Sequence, residues 1–380
     1  MDYVRRFYIS SLLHLTFYSG FYLIYLQSLS LSKSQIGFLI GLSLILVALF
    51  EIPTGVVADK ISKKTSVLLS KILLIPGTLL LYLANLFWHV LFATIFNSLA
   101  VAFLTGAETG WLYELLSRDG RRDEYPKIYG RLRAFEIAGS FLGATLGGFI
   151  ARLLSMRVAI LLSVPFILIS FLIMLTIPSD TTKSKLPYGY HLIETFRFLR
   201  SSRVLALLFA YASLIGLSLA SFTSFMQLYF YEFMPSILGV SWLSGLYTLI
   251  NGISWYVDVG ENRRKVLYVY SPILIPGLTL LAGLSSWFGF LTLVLGSLLF
   301  AQAFKEWQRA FQGAIPDDKR ATLGSFYSLF ASLINGIYIS ILGAIFGKIG
   351  IRAGLVVVSL IFLGAGLMIR KHIPMEQPVV

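Results

Sequence analysis

The chain contains no cysteine, and only 13% of its 380 residues are charged. Without thiols it has neither a disulfide framework nor a thiolate metal site. Its four histidines show no paired metal-ligand spacing, no Ser–His–Asp set stands out, and no Gly-Lys-Ser/Thr phosphate loop occurs. ATP bound by this chain therefore does not drive it. Acidic residues are scarce, 18 against 31 basic, for a net charge of +13. Apolar residues are what it has: 57% hydrophobic, and with 32 Gly about 65%, against roughly 45–50% in a soluble domain. That balance excludes a soluble or disordered chain and leaves a polytopic membrane protein. Twelve spans of about 22 residues would use about 264 residues, leaving about 116 for loops and tails. No soluble catalytic domain fits there, so neither an enzyme nor a bound cofactor is expected.

Apolar runs of membrane length lie near 7–31, 36–57, 65–87, 88–116, 128–151, 157–177, 204–231, 236–257, 266–284, 286–311, 321–347 and 352–369. They are too long and too little alternating for barrel strands. The first follows Arg5 and Arg6 but is too long for a signal peptide and has no small-x-small cleavage site. With the N-terminus inside, cytoplasmic segments hold 24 of the Lys and Arg residues and outer loops hold 5: Lys33, Arg152, Arg157, Lys348 and Arg352. This bias puts both termini on the cytoplasmic face of the cell (inner) membrane. Lys305 and Arg309 fall inside the tenth span. The excess charge is topogenic and implies no nucleic-acid partner. The widest gap joins two halves, 1–178 and 204–380, through a linker at 179–203. Within it Pro187, Tyr188, Leu192, Thr195, Phe196 and Leu199, with Arg197, Arg200 and Arg203, read as a helix, either interfacial on anionic lipid or merely connecting.

The halves repeat. Leu73–Leu81 (LLIPGTLLL) matches Ile273–Leu281 (ILIPGLTLL), and Ser140–Gly147 (SFLGATLG) matches Ser340–Gly347 (SILGAIFG), both at an offset of 200. Gln27 and Gln227 share that offset. Six spans separate equivalents, so the expected fold is all-α, twelve transmembrane helices in two pseudo-symmetric six-helix halves around an axis along the membrane normal.

The second span ends Gly55-Val-Val-Ala-Asp59-Lys-Ile-Ser62-Lys63-Lys64. It strongly resembles the loop signature of the major facilitator superfamily, Gly-x-x-x-Asp-x-x-Gly followed by two basic residues, with Ser62 in place of the second Gly. The resemblance implies an ionic latch formed by Asp59, Lys63 and Lys64, with Glu114 as partner and Glu51 bracing it; Gly55 would permit close helix approach. Trp255-Tyr-Val-Asp258-Val-Gly260-Glu-Asn-Arg263-Arg264 is a decayed second copy. Gly139, Gly143, Gly147 and Gly148 in the fifth span resemble the family's antiporter motif, with Ala144 for its Pro; close packing alone explains them equally well. Pro316–Ser325 resembles a loop common before the eleventh span.

Ionisable residues inside spans are costly and usually functional. Glu108, Glu136 and Glu306 are the candidates for proton coupling. Glu108 serves either as carrier or as one side of a static ion pair, and Glu136 also reads as the i,i+3 partner of Arg133. By family analogy, spans 1, 4, 7 and 10 line a cavity. Its candidates are His14, Tyr18, Tyr22, Gln27, Asn97, Gln227, Asn251, Gln302, Lys305, Arg309 and Asn335. The leading expectation is a monomeric, proton-coupled exporter of small organic molecules working by alternating access in the lipid bilayer. The second is uptake of a sugar or organic acid by symport or facilitation. The third is a transporter-like sensor or lipid-handling protein.

Overall fold

The computed structural model describes residues 3–179, 202–315 and 320–372. The helix expected within the linker and most of the loop beginning at Pro316 lie outside the described residues. The elements are α1 Tyr3–Leu12, α2 Tyr22–Ser28, α3 Lys33–Lys60, α4 Lys63–Tyr82, α5 Phe87–Leu104, α6 Ala107–Arg118, α7 Tyr125–Leu153 and α8 Met156–Leu175. They continue as α9 Arg203–Thr223, α10 Met226–Phe233, α11 Ile237–Ser254, α12 Glu261–Leu284, α13 Trp287–Gly313, α14 Arg320–Ile349 and α15 Ile351–Arg370. Among the described residues there is no strand. Among the described residues eleven stretches are long and apolar enough to span a bilayer, as expected where each helix must satisfy its own backbone in hydrocarbon. Serines start three of them: Ser62, Ser155 and Ser202 accept from the amides of Thr65, Val158 and Leu205 at 3.2, 3.2 and 3.3 Å.

The first span departs from the sequence expectation. The run at 7–31 is not one helix but α1 and α2, joined by the irregular segment 13–21. The fourth span is likewise split between α5 and α6 at Thr105–Gly106, where Gly106 has φ of 76°. The seventh is split between α9 and α10 at Ser224–Phe225. Hydropathy averaged over a whole span hides these breaks because the few polar and glycine residues in them are outnumbered by apolar ones. The physical cause of the first lies in α7. A side-chain carbon on Gly139 would come 2.7 Å from the Leu12 carbonyl, one on Gly143 would come 3.3 Å from the Thr16 amide, and one on Gly147 would strike the Phe17 backbone. The glycine ladder thus receives irregular backbone, and Ser163 of α8 accepts the orphaned Phe17 amide at 3.0 Å.

Two compact units form. One holds α1, α2, α3 from Leu42, α4–α8 and the segment Met234–Leu249; the other holds Ser32–Gly41, α9, α10 and the chain from Ile250. Within the first, Ser244 Oγ donates to the Gly20 carbonyl at 3.1 Å and Trp242 packs edge-on against Phe141. Within the second, a carbon on Gly37 would lie 2.6 Å from Gly343 Cα, so only glycine fits. The units repeat each other's fastenings. Tyr25 donates to the Leu81 carbonyl at 2.5 Å, and Tyr229 to that of Ala282 at 2.7 Å. Arg157 donates to the Ala84 carbonyl at 2.8 Å, and Arg352 to that of Gly283 at 3.2 Å. The repeat read at an offset of 200 is therefore mirrored in contacts at the ends of α4 and α12.

Candidate functional site

The loop signature builds the first cluster. Ser62 has φ of −178°, extended backbone open to any residue, so the family's glycine is not needed and the serine caps α4. This sets Lys63 on the first turn, where its ammonium pairs with the Glu114 carboxylate of α6 in a half-buried ion pair. Lys64 goes elsewhere than the expected latch. It donates to the carbonyls of Leu175 and Ile177 at 2.8 and 2.6 Å, while Arg6 donates to that of Thr176 at 2.6 Å. Two cations thus neutralise the C-terminal end of α8. Asp59 and Glu51 enter no ion pair among the described residues. Gly55 faces open space, so the close approach expected there is absent in this structure.

A second cluster lies deeper, and its central residue was placed wrongly by the sequence. Lys71 sits among topogenic lysines when charges are counted by loop. In the structure it is eight residues into α4 and only 2% exposed. Its Nζ lies 3.2 Å from His14 Nδ1, on the irregular segment after α1. An ammonium can only donate, so the imidazole is the acceptor and carries its proton on Nε2. Lys71 also lies in the field of Glu108 and Glu136. Glu108 is 8% exposed, two residues past the kink at Gly106, in the first turn of α6. A carboxylate there is favoured by the helix dipole. Its carboxyl hydrogen-bonds to that of Glu136 and lies in the field of Lys71 and Arg133. Arg133 donates to Glu136 at 2.6 Å and to the Tyr129 hydroxyl at 2.9 Å, so Glu136 is held by its i,i+3 neighbour. The order is Arg133, Glu136, Glu108, Lys71, His14, drawn from α7, α6, α4 and the broken first span. Two cations face two carboxylates, which is how buried charge becomes tolerable. The signal that could have found Lys71 was its spacing: a lysine two turns beyond Lys63, flanked by Leu68-Leu-Ser and Ile72-Leu-Leu.

The other unit corrects a different expectation. Gln302, Lys305 and Arg309 are expected at a substrate cavity and Glu306 as a proton-coupling group, but the structure uses all four to brace the turn between α11 and α12. Gln302 is fully buried and donates to the carbonyls of Ser254 and Val257 at 3.1 and 3.0 Å. Lys305 donates to Val257 at 2.8 Å. Glu306 lies 3.6 Å from both Arg264 and Arg309, and Arg264 pairs with Asp258 at 3.0 Å. The decayed signature thus keeps its ion pair despite the longer spacing. The carbonyls freed at the end of α11 explain why donors gather there.

The neutral candidates scatter. Tyr18 and Tyr22 share the first-span break, their rings 6.1 Å apart. Asn97 packs against Gly77, and its Oδ1, like that of Asn335, is buried without a partner among the described residues. Gln227 is 7% exposed, Asn251 is half-buried, and Gln27 is exposed on the last turn of α2 rather than interior.

The chain is 24% identical over 194 residues to the multi-drug resistance efflux pump PmrA of Streptococcus pneumoniae, a match covering 46% of this chain and 47% of the relative. The chain thus spans about half the length of the curated relatives it matches. Its fold is similar to the nucleoside transporter NupG, with a TM-score of 0.73, 18% identity, and coverage of 98% of both chains. A bacterial homologue of the human lysosomal transporter Spinster aligns at 0.72, with 15% identity over 98% of this chain and 95% of that one. The human organic anion transporter MFSD10 aligns at 0.64, with 14% identity over 96% and 98%. The sequence profile of the Major Facilitator Superfamily matches residues 7–338. Loop signature, repeat, all-helical fold and profile agree: the chain is a multi-pass membrane protein that belongs to the Major Facilitator Superfamily.

Proposed function

We propose that this transporter couples the movement of small organic molecules to protons, and that Glu108 is the coupling group. The observation that carries this reading is a buried carboxylate just past the glycine kink of the fourth span, hydrogen-bonded to Glu136 and in the field of the buried Lys71. A carboxylate in such a place changes partner when its helix moves, and a change of partner changes its hold on a proton. The chain acts without catalysis of its own, as a monomer in the cytoplasmic membrane with both termini inside. It works by alternating access, with 1–178 and 204–380 as moving halves, and Lys63 with Glu114 serves beside Asp59 as the latch. Export is the leading direction, supported by the half-length relationship to an efflux pump and by the antiporter-like glycine ladder. Uptake is the second reading, favoured by the buried charges of Lys71 and Glu108, which lie in each other's field. The test is Glu108→Gln in proteoliposomes under an imposed pH gradient. Transport that continues but ignores the gradient supports the reading; transport with unchanged gradient dependence sinks it.

A further inference from the structure

Cations gather at the start of α12, the end that the charge bias assigns to the cytoplasm. Arg264 pairs with Asp258 at 3.0 Å, Lys265 with Glu261 at 2.9 Å, and Arg309 lies 3.5 Å from Glu261. Arg263 is exposed and has no ion pair among the described residues. The internal repeat gives the reason. At the offset of 200, Arg263 corresponds to Lys63, while Glu114, the partner of Lys63, corresponds to Ala314. The second unit keeps the cation without the acid. The same face also differs in its cover. Ser66 of α4 is 1% exposed and donates to the Phe103 carbonyl of α5 at 2.7 Å, whereas its counterpart on α12, Val266, is 56% exposed. Ser70 is buried and its counterpart Tyr270 is exposed. A groove of about 410 Å³ lies here, walled by Val259, Asn262, Arg263, Val266 and Leu267. Val266 also heads an exposed stripe at helical spacing that continues through Tyr270 and Leu274. Arg370, the last residue of α15, lies over the Tyr270 ring, 4.1 Å from its centre, and it too has no acid partner among the described residues.

We propose that this groove binds an anionic phospholipid of the cytoplasmic leaflet, its phosphate held by Arg263 and Arg370 and an acyl chain laid along Tyr270 and Leu274. Val266 stands three residues after Arg263 and four before Tyr270, so the two arginines flank it by about one turn on either side. Charge selects the headgroup. Two cations without acids attract a net negative lipid, and they repel the ammonium that a zwitterionic lipid brings with its phosphate. Arginine suits the task, because its fork of donors binds phosphate oxygens in pairs and is weakly hydrated. The apolar wall selects a lipid over a soluble anion. Free phosphate gains nothing from Val259, Val266 and Leu267, and it would lose water against them. The lipid thus does for α12 what Glu114 and α5 do for α4: it neutralises the cation and covers the apolar face.

The experiment is native mass spectrometry of the full-length protein in detergent, titrated with phosphatidylglycerol and with phosphatidylcholine of the same acyl chains. The parent protein should bind phosphatidylglycerol more tightly by about fivefold or more, the contribution of one basic residue near an anionic surface. Arg263→Gln should lose about fivefold of that preference. Lys60→Gln removes an exposed charge from the end of α3 and should leave the preference intact. Val266→Trp fills the groove, leaves every charge in place, and should weaken phosphatidylglycerol binding. Inorganic phosphate and glycerol phosphate in large excess should not displace the lipid. Equal binding of the two lipids by the parent protein overturns the proposal and needs no variant. So does a full preference in Arg263→Gln, or an equal loss in Lys60→Gln, which would reduce the effect to diffuse surface charge. Unchanged binding in Val266→Trp removes the groove from the site, and displacement by inorganic phosphate or glycerol phosphate gives the site to soluble anions; either result refutes the lipid assignment.

Discussion

Replacing Gly147 by alanine tests the account of the broken first span. The added carbon would overlap the Phe17 carbonyl oxygen and lie 2.8 Å from Phe17 Cα, and both are backbone atoms that cannot swing aside. Overpacking of this kind costs about 1–3 kcal/mol. The shift that relieves it pulls the Phe17 amide from Ser163, a residue with no exposed surface, and a buried amide left unsatisfied costs about 1–3 kcal/mol more. Against this, alanine is favoured over glycine inside a helix by about 0.5–1 kcal/mol. The net is a destabilisation of about 3 kcal/mol. Gly55 is the matched control. Nothing lies within 4 Å of the carbon it would gain, so Gly55→Ala should gain about 0.5–1 kcal/mol. The assay is denaturant unfolding in mixed micelles followed by circular dichroism, since heating polytopic proteins is often irreversible. If Gly147→Ala unfolds within about 0.5 kcal/mol of the parent protein, or Gly55→Ala is the more damaging of the two, the packing argument is wrong.

Two further substitutions check the assignments of the charged clusters. Lys63→Gln and Glu114→Gln should each lower stability, and the double variant should fall short of their sum by about 1 kcal/mol, because the half-buried pair is lost only once. Additive losses would separate the two residues. Lys305→Gln should cost about 1 kcal/mol by removing the donor to Val257 and leave the transport KM unchanged; a raised KM at unchanged stability would return Lys305 to the substrate site.

The sequence disclosed the helical class, the membrane setting and the two-fold repeat because each rests on composition or register. Twenty apolar residues can do little else in a bilayer, and the LLIPGTLLL and ILIPGLTLL blocks fall at equivalent places in α4 and α12. It disclosed the Lys63 region through a local motif and the Arg133–Glu136 pair through helical spacing. What it could not disclose depends on partners far along the chain. The kink at segment 13–21 is decided by glycines of α7 and a serine of α8. Lys71 looks topogenic until α6 and the first span close over it. Lys305 looks functional until the carbonyls ending α11 are seen beneath it. In each case the residue's own neighbourhood in sequence is silent about which distant backbone or charge will meet it.

The first span also bears on how the protein is made. Ser163 lies 146 residues beyond Phe17, and a ribosome adding about 5–20 residues per second needs roughly 7–30 s to reach it. Throughout that interval the segment 13–21 would have no partner for its amides in hydrocarbon unless it were helical. The continuous helix that hydropathy suggests for 7–31 is thus the form suited to the nascent chain, and the broken form belongs to the finished protein. Arrival of α7 and α8 exchanges local hydrogen bonds for distant ones. A chain halted before α7 should protect those amides from exchange as one unbroken helix does. On this view the glycine ladder acts first in biogenesis, as the mould on which an inserted helix is reshaped.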